Sequence, residues 1–123
     1  MKIFILEDDP QRIDFLWPHL MGHQTVVIDS CTKADRFKPP YDLILLDHDL
    51  GGRQLDEHED CGLTFVKLIS AQINPDAVVV VHSYNPGGAL RMVQELQDHD
   101  IKALSAPFGG SEFLSVIQAL KVK

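Results

Sequence analysis

Short apolar runs with almost no polar face constrain this fold more than any other feature. "KIFIL" (2–6), "TVVI" (25–28), "LILL" (43–46), "AVVVV" (77–81) and "IKAL" (101–104) recur along the chain. A half-exposed strand alternates apolar and polar residues, because successive side chains point to opposite faces. A strand that is apolar throughout is covered on both faces, as in a parallel sheet flanked by helices.

The segments between these runs fit such helices. Asp9 followed by Pro10 reads as an N-cap and a first helical residue. The helix that follows carries Ile13, Leu16, Trp17 and Leu20 on one stripe and is expected to kink or stop near Pro18. Residues 62–73 bring Leu63, Val66, Ile69 and Ile73 to one face. Residues 88–98 do the same with Leu90, Val93 and Leu96, and residues 111–121 with Phe113, Leu114, Ile117 and Leu120. A weaker, short helix is expected over 30–37. Five strands alternating with five helices imply right-handed βαβ units. The chain has no internal repeat, low-complexity tract or linker, so one domain over residues 1–123 is expected.

In a sheet of this kind ligands bind beyond the carboxyl ends of the strands. The loops placed there are "EDDP", "DHDLGG", "HSYNPGG" and "SAPFGG", and most of the chemically unusual residues lie in them. Glu7, Asp8 and Asp9 follow the first strand; Asp47 and Asp49 follow the third. Clustered carboxylates repel and raise one another's pKa. A hard divalent cation relieves that repulsion, so Mg²⁺, Mn²⁺ or Ca²⁺ is expected. The alternative is an acidic helix start with solvated loop charges, and for Asp9 capping is the better reading.

His48 and His82 sit at strand ends. A lone histidine is more often structural than catalytic, yet here both lie near carboxylates. They suit a softer ion such as Zn²⁺ or Fe, or proton transfer near neutral pH. Alternation adds a constraint: if Asp47 faces the pocket, His48 faces away unless the strand has ended, and His82 and Ser83 divide the same way. "NPGG" and "FGGS" each precede a helix, where backbone N–H groups bind anions, although glycine there is also ordinary turn chemistry. The polar stretch "RQLDEHED" (53–60) lengthens one βα loop. It reads as a solvated excursion, a lid, or a second metal-binding element through His58; Arg53 is its one residue suited to clamping a phosphate. Neither Ser83 nor Cys61 carries a local nucleophile signature.

Bulk properties close off several functions. A net charge of −7 over 123 residues argues against an extended nucleic-acid surface. The opening "MKIFILEDD" is too short an apolar run for a secretory leader, and no run approaches the ~20 residues of a membrane span. A cytoplasmic protein is expected, with Cys31 and Cys61 as free thiols.

"KIFILEDDP", "YDLILLDHDL", "VVVVHS" and "SAPFG" resemble, in order and over nearly the whole chain, the receiver domains of two-component response regulators. The resemblance implies a flavodoxin-like, doubly wound, five-stranded parallel sheet in the order 2-1-3-4-5. It implies that Glu7 and Asp8 are the acidic pair that holds Mg²⁺ and Asp47 the phosphoacceptor. Ser83 corresponds to the hydroxyl residue after strand four, and Pro107 and Phe108 to the Pro-Phe after strand five. The departures are also specific. Receivers carry a lysine before that proline, where this chain has Ala106. "HDLGG" replaces their Met-Pro turn, and Gly62 comes much later than their loop glycine.

"LDHDLGG" with "HSYNPGG" is similar to a divergent receiver-like group named for cyclic-phosphate processing. That similarity implies a metal-dependent phosphoesterase or cyclic-phosphate binder. Glu7, Asp8, Asp47 and Asp49 would hold the ion, Mg²⁺ or Mn²⁺ before Zn²⁺ or Fe. Asp47, His48 and His82 would carry the chemistry, and Ser83, Asn85 and the backbone of Gly87 and Gly88 would orient the phosphate. The alternatives are a receiver phosphorylated on Asp47 and a degenerate receiver that only binds a protein partner.

Overall fold

The computed structural model describes residues 1–50 and 62–120. The expectations for Arg53, His58 and Cys61 fall outside the described residues. Five strands, β1 (Lys2–Leu6), β2 (Gln24–Ile28), β3 (Leu43–Leu46), β4 (Val78–Val81) and β5 (Ala103–Ser105), form one sheet. All neighbours are parallel and the order is β2-β1-β3-β4-β5. Among the described residues four α-helices cover it: α1 (Pro10–Leu20), α2 (Gly62–Ile69), α3 (Pro86–Asp98) and α4 (Ser111–Ala119).

The apolar runs behave as their composition requires. Ile3, Phe4, Ile5 and Leu6 are wholly buried, as are Ile44, Leu45, Leu46, Val79, Val80 and Val81. Alternation divides them between two cores. Phe4, Leu6, Ile44, Leu46, Val79 and Val81 pack with Phe65, Val66, Met92 and Leu96 from α2 and α3. Ile3, Ile5, Leu43, Leu45 and Val80 pack with Leu16, Leu20, Phe113 and Ile117 from α1 and α4. Each such side chain contributes on the order of 2 kcal/mol by leaving water.

Several helical details differ from the sequence expectation. Residues 31–36 form 3₁₀ turns broken at a non-helical Lys33. "CTKADR" offers no apolar stripe, so nothing holds an α-helix against the sheet. α1 runs through Pro18 to Leu20; a proline in the final turns forfeits one backbone bond without unseating the buried Leu16 and Leu20. Trp17 is 57% exposed and Leu90 is 56% exposed, so neither belongs to its helix's buried stripe. In α3 the buried positions are Gly88, Ala89, Met92 and Leu96, and Gly88 lies against the His48 ring. α2 ends at Ile69 and a 3₁₀ turn, Ser70–Gln72, carries the chain on to a buried Ile73.

Among the described residues, no helix is long and apolar enough to cross a membrane. Cys31 is buried, 8% exposed.

Candidate metal and phosphate site

The parallel ladder continues one residue past the strands. Asp47 donates its backbone N–H to the Leu6 carbonyl (3.1 Å), His82 to Leu46 (2.9 Å) and Ala106 to Val81 (2.9 Å). Ile5, Leu45, Val80 and Leu104 form one row across the sheet. Two residues further along each strand lie Glu7, Asp47, His82 and Ala106. Period-two alternation points this second row to the face covered by α1 and α4. Accordingly, Ala106 belongs to the α1/α4 core, and the His82 ring contacts Phe108 and Phe113, with centroids 5.6 Å away in each case. Register thus places two carboxylates and an imidazole side by side at a sheet edge where water is scarce. Glu7 is 2% exposed, Asp47 4% and His82 0%.

Asp8 joins this row from the loop before α1. Oxygens of Glu7, Asp8 and Asp47 all lie within 4.8 Å of one another. One Glu7 oxygen accepts from the backbone N–H groups of Asp8 and Asp9, both at 3.1 Å; the other faces His82 Nδ1 at 3.6 Å. Burial raises the pKa of Glu7. Burial, and next the neighbouring Glu7 charge, pushes Asp47 up to about 7. Burial also lowers His82 to about 3, so it is neutral at physiological pH. Three carboxyl oxygen donors in one cluster, two of them from buried residues, suit a hard divalent cation. Asp9 does not join them: it caps α1 by accepting from the Gln11 N–H at 2.9 Å.

A concavity of about 380 Å³ opens over this floor, with Arg12, Asp49 and Tyr84 in its walls. Arg12 comes from the first turn of α1. Its Nη1 lies 3.4 Å from Glu7 Oε1 and 3.7 Å from Asp47 Oδ2, and its Nε lies 3.9 Å from Asp9. The guanidinium stands 4.9 Å from the Tyr84 ring and 5.0 Å from the Phe108 ring. The Tyr84 hydroxyl donates to the Phe108 carbonyl at 2.6 Å, tying together the loops after β4 and β5.

His48 points to the opposite face, as alternation requires if Asp47 faces the pocket. It is fully buried, and its Nδ1 lies 2.7 Å from Asp49 Oδ1. Asp49 stands outside the three-carboxylate cluster. It accepts from Asn85 Nδ2 at 3.2 Å and from the Ser83 hydroxyl at 3.4 Å. Asn85 also caps α3 by accepting from the Gly88 N–H at 3.0 Å. The open sides of the two glycines are filled by side chains. A Cβ on Gly88 would stand 2.7 Å from the His48 ring, and one on Gly87 would stand 3.3 Å from the Arg91 guanidinium. Of the expected phosphate-orienting residues, Ser83, Asn85 and Gly88 form a network behind Asp49, which lines the concavity. Gly62 lies against the end of β3: its N–H donates to the His48 carbonyl at 2.9 Å, and a Cβ there would collide with the Asp47 carbonyl.

Two site residues, Arg12 and Tyr84, are absent from the sequence expectations. Arg12 did carry a signal. A cation in the first turn of a helix opposes the helix dipole, and its placement there calls for a compensating partner such as the acidic loop beside it.

A five-stranded parallel sheet in this order, with an acidic cluster beyond β1 and β3, defines a receiver-like domain of flavodoxin-like fold. The family model for the cyclic-phosphate processing receiver domain matches residues 3–98, and the chain belongs to that family. Solved structures agree on the fold. The Mn²⁺-bound response regulator Rcp1 is 18% identical over 98% of this chain and 91% of its own, with a TM-score of 0.59. The response regulator TrrA from Thermotoga maritima, solved with Mg²⁺ and BeF, is 18% identical over 97% of each chain, with a TM-score of 0.63. The receiver domain of a sensor histidine kinase from Pseudomonas aeruginosa, with magnesium in its active-site cleft, is 20% identical over 99% of this chain and 98% of its own, with a TM-score of 0.59. No curated protein matches the chain in sequence.

Proposed function

We propose that this domain is a metal-dependent phosphoesterase that takes a phosphodiester or cyclic phosphate into the concavity above Glu7, Asp8 and Asp47. The observation that carries this reading is the convergence of those three carboxylates, two of them buried, on one point. Held together without a counter-ion they repel; with a divalent ion they become its ligands. The ion would be Mg²⁺ or Mn²⁺ before Zn²⁺ or Fe, given an all-oxygen donor set. When bound, such an ion supplies Lewis-acid polarisation of a phosphoryl oxygen.

The rest of the work falls to the chain. Asp49 presents a carboxylate to the concavity, with His48 behind it at 2.7 Å. We assign this pair the proton-carrying role, Asp49 at the surface and His48 as the group that orients it. Ser83 and Asn85 hold Asp49 in place, and Gly88 admits the His48 ring. His82 is enclosed, so its part in this scheme is to brace Glu7 from behind rather than to touch substrate. Asp47 belongs to the ion's ligand set. A protein partner can use the same face, but no extended nucleic-acid surface suits so acidic a chain.

Turnover of a 2′,3′-cyclic nucleotide and of an activated phosphodiester, each with Mn²⁺ or Mg²⁺, tests the reading. Activity in wild type, lost by at least about 100-fold in Asp47→Asn and Asp49→Asn, is the expected result. Stoichiometric, alkali-labile labelling of Asp47 by a small phosphodonor, without turnover, would replace the enzyme with a phosphorylated receiver. Neither activity nor labelling, with a protein partner captured instead, would leave a binding module.

A further inference from the structure

Among the described residues, Arg12 is the one basic residue in the walls of the concavity, which it shares with Glu7, Asp8, Asp9, Asp47 and Asp49. A phosphate entering there meets carboxylates on nearly every side. In the residue row, Ala106 contributes no charge. Among the described residues, Arg12 is the basic side chain placed to offer positive charge to a phosphoryl oxygen there.

The geometry of Arg12 is that of a group held in place but loosely paired. Tyr84 and Phe108 flank its guanidinium at 4.9 and 5.0 Å, an arrangement that fixes the plane while leaving the donor edge available. Its three carboxylate contacts span 3.4 to 3.9 Å. Tight charge-assisted hydrogen bonds are shorter, about 2.7–2.9 Å, and arginine makes its strongest ones in bidentate pairs. Arg12 Nη1 instead divides one edge between Glu7 and Asp47, two of the three carboxylates of the proposed ion site. An ion among those carboxylates takes the same oxygens and repels the guanidinium.

We infer that Arg12 exchanges partners. Without an ion it is the resident counter-charge of Glu7 and Asp47; once a divalent ion takes those oxygens, its planar fork turns to two oxygens of the incoming phosphate. This inference rests on the proposed cation site and adds the residue that grips the phosphate group of the ligand. It makes two predictions of opposite sign for one substitution, which a merely structural arginine does not.

Mn²⁺ binding to the full chain is measured by calorimetry, and inorganic phosphate binding is then measured on the Mn²⁺-loaded protein. In Arg12→Ala, Mn²⁺ binds about tenfold more tightly, because a competing cation is gone. In the same variant, phosphate binds at least about tenfold more weakly, because a charge-assisted fork is lost. Arg12→Lys keeps the charge without the planar fork. It retains wild-type Mn²⁺ affinity and loses most of the phosphate affinity, and it serves as the readout should the alanine variant fail to fold. Unchanged phosphate affinity in the variants, or weaker Mn²⁺ binding in Arg12→Ala, overturns the exchange while leaving the cation site intact. If neither wild type nor Arg12→Ala binds Mn²⁺, the cation site and the exchange fall together.

Discussion

Asp47 and His82 are neighbours in one row, yet their titrations pull stability in opposite directions. The Asp47 carboxyl, raised to about 7 from 3.8, keeps in the folded chain a proton that the unfolded chain has released. Its contribution is complete below about pH 4 and is lost as pH rises through 7. His82, lowered to about 3 from 6.5, stays neutral in the folded chain while the unfolded chain takes up a proton. Its contribution is complete above about pH 6.5 and is lost as pH falls toward 3. In the metal-free protein the two oppose each other between pH 4 and 6.5. Asp47→Asn removes a term that opposes the histidine, whose own share is up to about 1.4 kcal/mol per pH unit, so the stability of the variant changes with pH in that interval more in the histidine's direction than that of wild type. Urea denaturation at half-unit pH steps measures it; identical profiles for the two proteins would refute the assignment. The acidic residues themselves were plain in the sequence. Their depth was not, since burial depends on which helices cover the row.

The glycines act at the level of elements. Gly62 starts α2 directly against the backbone that leaves β3, and a methyl there collides with the Asp47 carbonyl and the His48 α-carbon. Backbone cannot move aside as a long side chain can. Gly62→Ala is expected to destabilise the fold by about 3 kcal/mol, the upper range for overpacking. Gly88→Ala, pressed on the buried His48 ring, is expected to cost about 2 kcal/mol. Gly22, at φ +87° with open space around it, should lose only about 1 kcal/mol on mutation to alanine, from backbone strain alone. Thermal denaturation of the three variants checks both order and size. Strand positions were legible because "LILL" and "VVVV" have no other way to satisfy alternation. Helix faces were less so: Trp17 and Leu90 fit a stripe by spacing, but the docked orientation of α1 and α3 leaves both in water. The segment 31–36 had caps and length but no apolar face, and tertiary packing withheld the α-helix.

For the whole molecule, the acidic cluster makes stability and ion binding one equilibrium. An ion that binds only the folded chain stabilises it by about 2.7 kcal/mol at 100 times its dissociation constant. Saturating Mn²⁺ should therefore raise the melting temperature of the chelator-treated protein by several degrees. It should do so more at pH 7.5 than at pH 5.5, because the ion must displace the Asp47 proton. Asp47→Asn should lose that gain while being more stable than wild type without metal at pH 7.5, where it lacks one of the crowded buried charges. A melting temperature indifferent to Mn²⁺ in wild type would count against the cation site.

By itself the amino-acid order determined a parallel sheet, the four loops at its carboxyl edge, and the acidic residues delivered there. Those follow from alternation and strand direction, which are local properties of a chain. Only the tertiary structure decided that Glu7, Asp8 and Asp47 form one cluster, with Asp49 set apart against His48. It alone brought Arg12 over that cluster between two aromatic rings. Strand register, helix docking and loss of water are collective outcomes of packing, and no short stretch of sequence contains them.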